Sequence, residues 1–139
     1  MHSSYCCMAC ALDQLKELED DNTFITSAKE QLALAISYAK QYDDTWHSIY
    51  WITAKAATKR RIIERLNHLA FDCYTALLAS FEHINFYVEE VKTTKTPPAW
   101  WNDMIISLTL AYDAIEKEHP QEISSRQLNL FECHDMSFL

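Results

Sequence analysis

Apolar residues recur along this chain at intervals of three and four, the spacing of one buried face of an α-helix. Met8, Leu12, Leu15 and Leu18 form a first short stripe, which stops at Glu19-Asp20-Asp21-Asn22. Ala28, Leu32, Ala35, Ile36 and Ala39 form a second. Ser27 followed by Glu30 has the form of a capping box for it, and Asn22 or Thr23 offers an earlier start. Gln41-Tyr42-Asp43-Asp44-Thr45 reads as a connection, with Asp44 capping whatever follows. From Trp46 the rhythm resumes, and Ile63, Leu66, Ala70, Cys73, Leu77, Phe81, Ile84, Val88 and Val91 all step by three or four. Thr93-Thr94-Lys95-Thr96-Pro97-Pro98 is a connector whose prolines suit the first turn of a new helix. Trp101, Met104, Ile105, Leu108, Ala111, Tyr112 and Ile115 supply the last stripe, which His119-Pro120 brings to a halt.

The segment between Asp44 and Thr96 contains neither glycine nor proline. As one helix it would extend about 75 Å, whereas a compact chain of this size has a radius of gyration of about 14 Å. Two arrangements answer that mismatch. The segment folds back near Asn67-His68 or Asp72, or the molecule is elongated and pairs with a partner, a homodimer being the simplest. The pattern as a whole predicts an all-α fold, a compact or elongated bundle of four to five helices over residues 1–119. Residues 120–139 show no sustained period and read as an irregular C-terminal tail.

Composition narrows this picture. The chain has 139 residues and no glycine. Glycine-dependent Rossmann and P-loop fingerprints are therefore excluded, and a hairpin-rich β fold is disfavoured. Twenty acidic and twelve basic residues give a net charge of −8. A body so charged is repelled by a phosphate backbone unless its cations are gathered on one face. Five of the twelve are indeed gathered: Lys55, Lys59, Arg60, Arg61 and Arg65 lie within eleven positions, with Lys55/Lys59 and Arg61/Arg65 each one helical turn apart. Such a basic band could meet DNA or an acidic partner protein, or be a solvated face. No apolar run reaches the length of a membrane span, and Met1 to Cys7 lacks the charged and apolar regions of a secretory leader. A cytoplasmic location is expected.

The five cysteines, Cys6, Cys7, Cys10, Cys73 and Cys133, are a poor disulfide framework and read as reduced thiols. Cys7 and Cys10, with His2, Cys133 and His134, would complete a zinc site only if the two termini met, and adjacent Cys-His is awkward for two ligands. Glu116-x-x-His119 is half of a di-iron motif with no second half. No metal or other cofactor is expected. Arg61 to His68 has the loose spacing of the HEPN ribonuclease signature, but Ile62 stands where that signature places a polar residue. No nucleophile, base and orienting group is convincingly spaced, so an enzyme is not expected. Trp46, Trp51, Trp100 and Trp101 are core or interface anchors. Trp100 and Trp101 are adjacent and cannot both face one core, which leaves one for a partner surface.

The tail carries the most specific signal, Gln127-Leu128-Asn129-Leu130-Phe131. It resembles the pentapeptide through which bacterial polymerases and repair proteins bind the DNA sliding clamp, the ring-shaped beta subunit of DNA polymerase III. The usual pattern is Gln-Leu, then Ser or Asp, then Leu-Phe, and Asn129 departs from it only at the permissive middle position. A match of this kind arises by chance in about one chain in a few thousand of this length. A second string, Gln31-Leu32-Ala33-Leu34-Ala35, is a partial match inside a strongly periodic helix and reads as core.

The resemblance implies that Leu130 and Phe131 anchor in an apolar groove, that Gln127 hydrogen-bonds in a second subsite, and that Leu128 covers the bridge between them. It also implies a non-enzymatic adaptor or inhibitor acting on replication or repair, such as a replication accessory protein or a phage or plasmid factor. Two alternatives stand beside it. One is a helical partner-binding protein, an antitoxin or an anti-defence inhibitor, with an incidental tail motif. The other is the HEPN-type ribonuclease.

Overall fold

A computed structural model of the chain describes residues 1–18, 22–48 and 53–118. Four helices make up nearly all of it: α1 (His2–Lys16), α2 (Thr23–Trp46), α3 (Ala56–Val91) and α4 (Trp101–Glu118). The fold is all-α, and the described residues contain no strand.

The helices run up, down, up and down around one core. α2 and α3 are antiparallel, since Ser80 Oγ donates to the Ala28 carbonyl at 2.9 Å and Cys73 Sγ to that of Ala35 at 3.3 Å. α1 and α4 are antiparallel too, joined by Ser4 Oγ donating to the Ala111 carbonyl at 3.4 Å. The Met1 amine, at the start of α1, lies 3.1 Å from the Asp43 carboxylate near the end of α2 and 3.6 Å from Glu118 at the end of α4. Tyr87 meets Trp101 ring to ring at 5.9 Å, and the Tyr74 and Tyr112 hydroxyls lie 2.9 Å apart, which sets α4 antiparallel to α3. These are the neighbour relations of a four-helix bundle.

The seam between α2 and α3 has coiled-coil spacing. Ile25, Ala28, Leu32, Ala35 and Ala39 are fully buried from one side, and Leu66, Ala70, Cys73, Leu77, Ser80, Ile84, Val88 and Val91 from the other. Alanines at this seam bring the backbones close enough for the Ser80 and Cys73 side chains to reach carbonyls of the opposite helix. Each such bond satisfies a buried polar atom that would otherwise cost about 1–3 kcal/mol.

Helix boundaries follow the expected stripes with three corrections. α2 starts at Asn22, whose side chain accepts a 2.8 Å hydrogen bond from the Phe24 amide, so Ser27 and Glu30 lie inside the helix rather than capping it. Gln41 to Thr45 are not a connection, and Asp44 caps nothing: α2 continues to Trp46. No breaker interrupts it there, and the Thr45 hydroxyl donates to the Gln41 carbonyl at 2.8 Å instead of competing with the helix. Lastly, α3 does not fold back at Asn67-His68 or Asp72. It runs unbroken for 36 residues, about 54 Å, because α2 of the same chain covers its apolar stripe.

Candidate functional site

α3 is half as long again as its neighbour α2 and overruns it at both ends. The register of the Ser80–Ala28 and Cys73–Ala35 pairs places Trp46, the last residue of α2, level with Ile62 of α3. Residues of α3 before that level therefore extend past the end of α2. Leu66 is the first buried residue of the helix; Ala56, Ala57, Arg60, Arg61, Ile63, Glu64 and Arg65 are all exposed.

Lys55, Lys59, Arg60 and Arg61 occupy this projection, and Arg65 follows one turn further on, beside the last turns of α2. Lys55 is the N-cap residue and is exposed; Lys59 is half-buried; Arg60, Arg61 and Arg65 are exposed. At 3.6 residues per turn they do not share one face. Lys55 and Lys59 continue, with Ile62, the stripe that further along becomes Leu66, Ala70 and Cys73. Arg61 and Arg65 project to one side of that stripe and Arg60 to the other. The cations thus surround the helix, which sharpens the expected one-faced band.

Local electrostatics work against this arrangement. The first turn of α3 has no acidic residue, and the Lys55 cap makes no side-chain hydrogen bond, so cations crowd the positive end of the helix macrodipole. Glu64 is the one carboxylate among residues 55–65. Among the described residues the ion pairs join Met1 to Asp43 and Glu118, and Lys92 to Glu89; none includes a member of the band. Arg65 Nη2 donates to Gln41 Oε1 at a long 3.4 Å.

Two exposed apolar side chains accompany the cations. Trp46 is 49% exposed and Ile63 47%, and the register sets them at the same level of the hairpin. Ile63 belongs to the sequence stripe but is exposed at the level where α2 ends. Of the paired tryptophans, Trp101 is buried and Trp100 half-buried, stacked at 6.1 Å. Neither is fully exposed, in contrast to the expectation that one of them would be left for a partner surface. Trp51 lies outside the described residues. Arg61 and His68, the HEPN-like pair, are seven positions apart and both exposed on one face of α3, with Arg65 between them.

Gln127, Leu128, Asn129, Leu130 and Phe131 lie outside the described residues, as do His119, Cys133 and His134. The described chain nevertheless fixes where the tail departs. Glu118, the last residue of α4, sits beside Met1 and hence near Asp43, at the same end of the bundle as the basic projection. Leu32 and Ala35 of the second, partial string are buried in α2, as a core reading requires.

The thiols divide by environment. Cys6 and Cys10 are exposed on α1 and Cys7 is half-buried, whereas Cys73 is buried at the α2–α3 seam. Burial pushes the Cys73 thiol up to about 12, with a smaller push in the same direction from Asp43 and opposing contributions from the Met1 amine and the Ala39 backbone amide. It is a protonated packing residue, not a nucleophile. Among the described residues no three His, Cys, Asp or Glu side chains are grouped to hold a metal ion, and no helix is long and apolar enough to cross a membrane.

Sequence reasoning missed the Tyr74–Tyr112 hydroxyl pair, because nothing local in the chain signals a contact between helices. Burial raises the Tyr74 phenol, and the Tyr112 hydrogen bond partly offsets it. Comparison with protein-family models, with curated proteins and with solved structures finds no match.

Proposed function

We propose that this chain is a non-enzymatic helical adaptor or inhibitor that docks on the bacterial DNA sliding clamp through Gln127-Leu128-Asn129-Leu130-Phe131 and thereby modulates replication or repair. The pentapeptide itself is the observation that carries this reading. Its position supports it: the pentapeptide follows Pro120, beyond the end of α4 at Glu118. Leu130 and Phe131 would each contribute about 1.5–3 kcal/mol of gross burial, partly offset by ordering of the peptide, so affinity in the micromolar range is expected. A clamp of this type is a dimeric ring, and a homodimer of this chain would bind it with added avidity.

The test is retention on immobilised clamp of the native chain and of Leu130→Ala/Phe131→Ala. The reading predicts capture of the native form alone, and equal retention of both would sink it. A second reading, a partner-binding body with an incidental tail motif, draws on Ile106 and Leu110. They lie one turn apart on the outer face of α4 and are each more than half exposed. Binding partners that survive the tail substitution would favour it.

A further inference from the structure

We propose that the start of α3, which projects past α2 as far as Arg61, binds duplex DNA, seating Lys55, Lys59, Arg60, Arg61 and the adjoining Arg65 among its backbone phosphates. The charge geometry carries this independently of the clamp motif. Four cations sit on a helix end that outruns its neighbour, Arg65 lies beside them with one intervening carboxylate, and none of the five is neutralised by an ion pair among the described residues. A polyanion is the occupant that such a surface lacks.

The distribution of the cations around the helix selects the kind of polyanion. A flat acidic protein surface can meet only one side of a helix, which would leave either Arg60 or the Arg61/Arg65 pair facing away. The major groove of DNA is about 12 Å wide and admits an α-helix between two phosphate walls, so cations on opposite sides are both used. The remainder of the chain holds seven basic against nineteen acidic residues. That body is repelled by DNA and would hold the molecule end-on, with the projection leading. Ile63 and the exposed Trp46 ring flank the cations and supply apolar contact at the groove edge.

The tail adds a spatial link. Gln127 lies nine positions after Glu118, and a stretch of that length reaches at most about 30 Å. A chain held to the clamp by its tail would therefore carry the projection within reach of the DNA that the ring encircles.

The experiment is a fluorescence-anisotropy titration of a labelled 20-base-pair duplex with the full chain, without clamp, between 50 and 200 mM salt. With three to five phosphates engaged, affinity is expected to fall about 40- to 500-fold across that range. Arg60→Glu/Arg61→Glu should weaken binding at least tenfold at 50 mM salt. Arg60→Gln/Arg61→Gln should lower the logarithmic salt slope by about 1.8. Lys16→Glu/Lys92→Glu, an exposed pair of equal charge change at the opposite end of the bundle, should bind within twofold of native, with unfolding midpoints confirming that every variant is folded. Absence of duplex binding by the native chain, equal loss in the control pair, or displacement of DNA by polyglutamate at equal charge would each overturn the proposal. The last outcome would assign the surface to an acidic protein.

Discussion

α3 contains two stretches that the same helical geometry serves in opposite ways. From Leu66 to Val91 its inner stripe is apolar and buried, and holds two side chains that bond to carbonyls of the opposite helix. From Ala56 to Arg65 that stripe turns basic and half-apolar around the level where α2 ends, and its local electrostatics oppose helix formation. The first stretch satisfies packing, polar pairing and propensity together; the second satisfies only propensity. Departures from that consistency tend to mark places shaped for something other than stability.

The sharpest way to break this contrast is to truncate apolar residues on both sides of it. Leu77→Ala or Ile84→Ala, at fully buried positions, should cost about 2–5 kcal/mol in chemical denaturation. Ile63→Ala should stay within about 0.5 kcal/mol. A large loss at Ile63 would mean that the projection is packed after all.

A subtler probe lies in the thiol at the seam. The fold keeps Cys73 protonated up to about pH 12, while an unfolded cysteine loses its proton near its ordinary value of 9.0. Above pH 9 unfolding therefore releases a proton, and stability must decline as pH rises, by up to about 1.4 kcal/mol per pH unit. Denaturation between pH 9 and 10 should show this decline in the native chain and a flatter one in Cys73→Ala. Parallel slopes would place the thiol in contact with water. A smaller loss than in the core is expected at the start of α2: Asn22→Ala removes the cap on the Phe24 amide and the 3.2 Å hydrogen bond to Glu90. It should cost about 1 kcal/mol, measurable as a shift in the denaturation midpoint.

Much of this architecture was legible in the hydrophobic pattern. The stripes of α1 and α4 match buried residues almost one for one, because an amphipathic helix lying on a bundle writes its burial into local spacing. What was not legible depended on distant parts of the chain. Gln41 to Thr45 look polar enough for a loop, yet α3 lies opposite and gives Gln41 a partner in Arg65. A long unbroken stripe such as that of α3 does not declare whether its cover comes from the same chain or another. Ile63 fits the stripe in sequence and is exposed at the level where α2 ends. The basic residues were found, but not their placement around the helix, since that matters only once the neighbouring helices are known to stop short. The pentapeptide is a short linear signal and needs no fold to be read.

The clamp reading and the basic projection assign different work to two parts of one molecule, and a single titration separates them. Calorimetric binding of purified clamp should be compared for the native full chain, Leu130→Ala/Phe131→Ala and Arg60→Glu/Arg61→Glu. The account predicts micromolar binding by the native and arginine-reversed forms and a loss of about a hundredfold or more in the tail variant. Native-like affinity in the tail variant would contradict it.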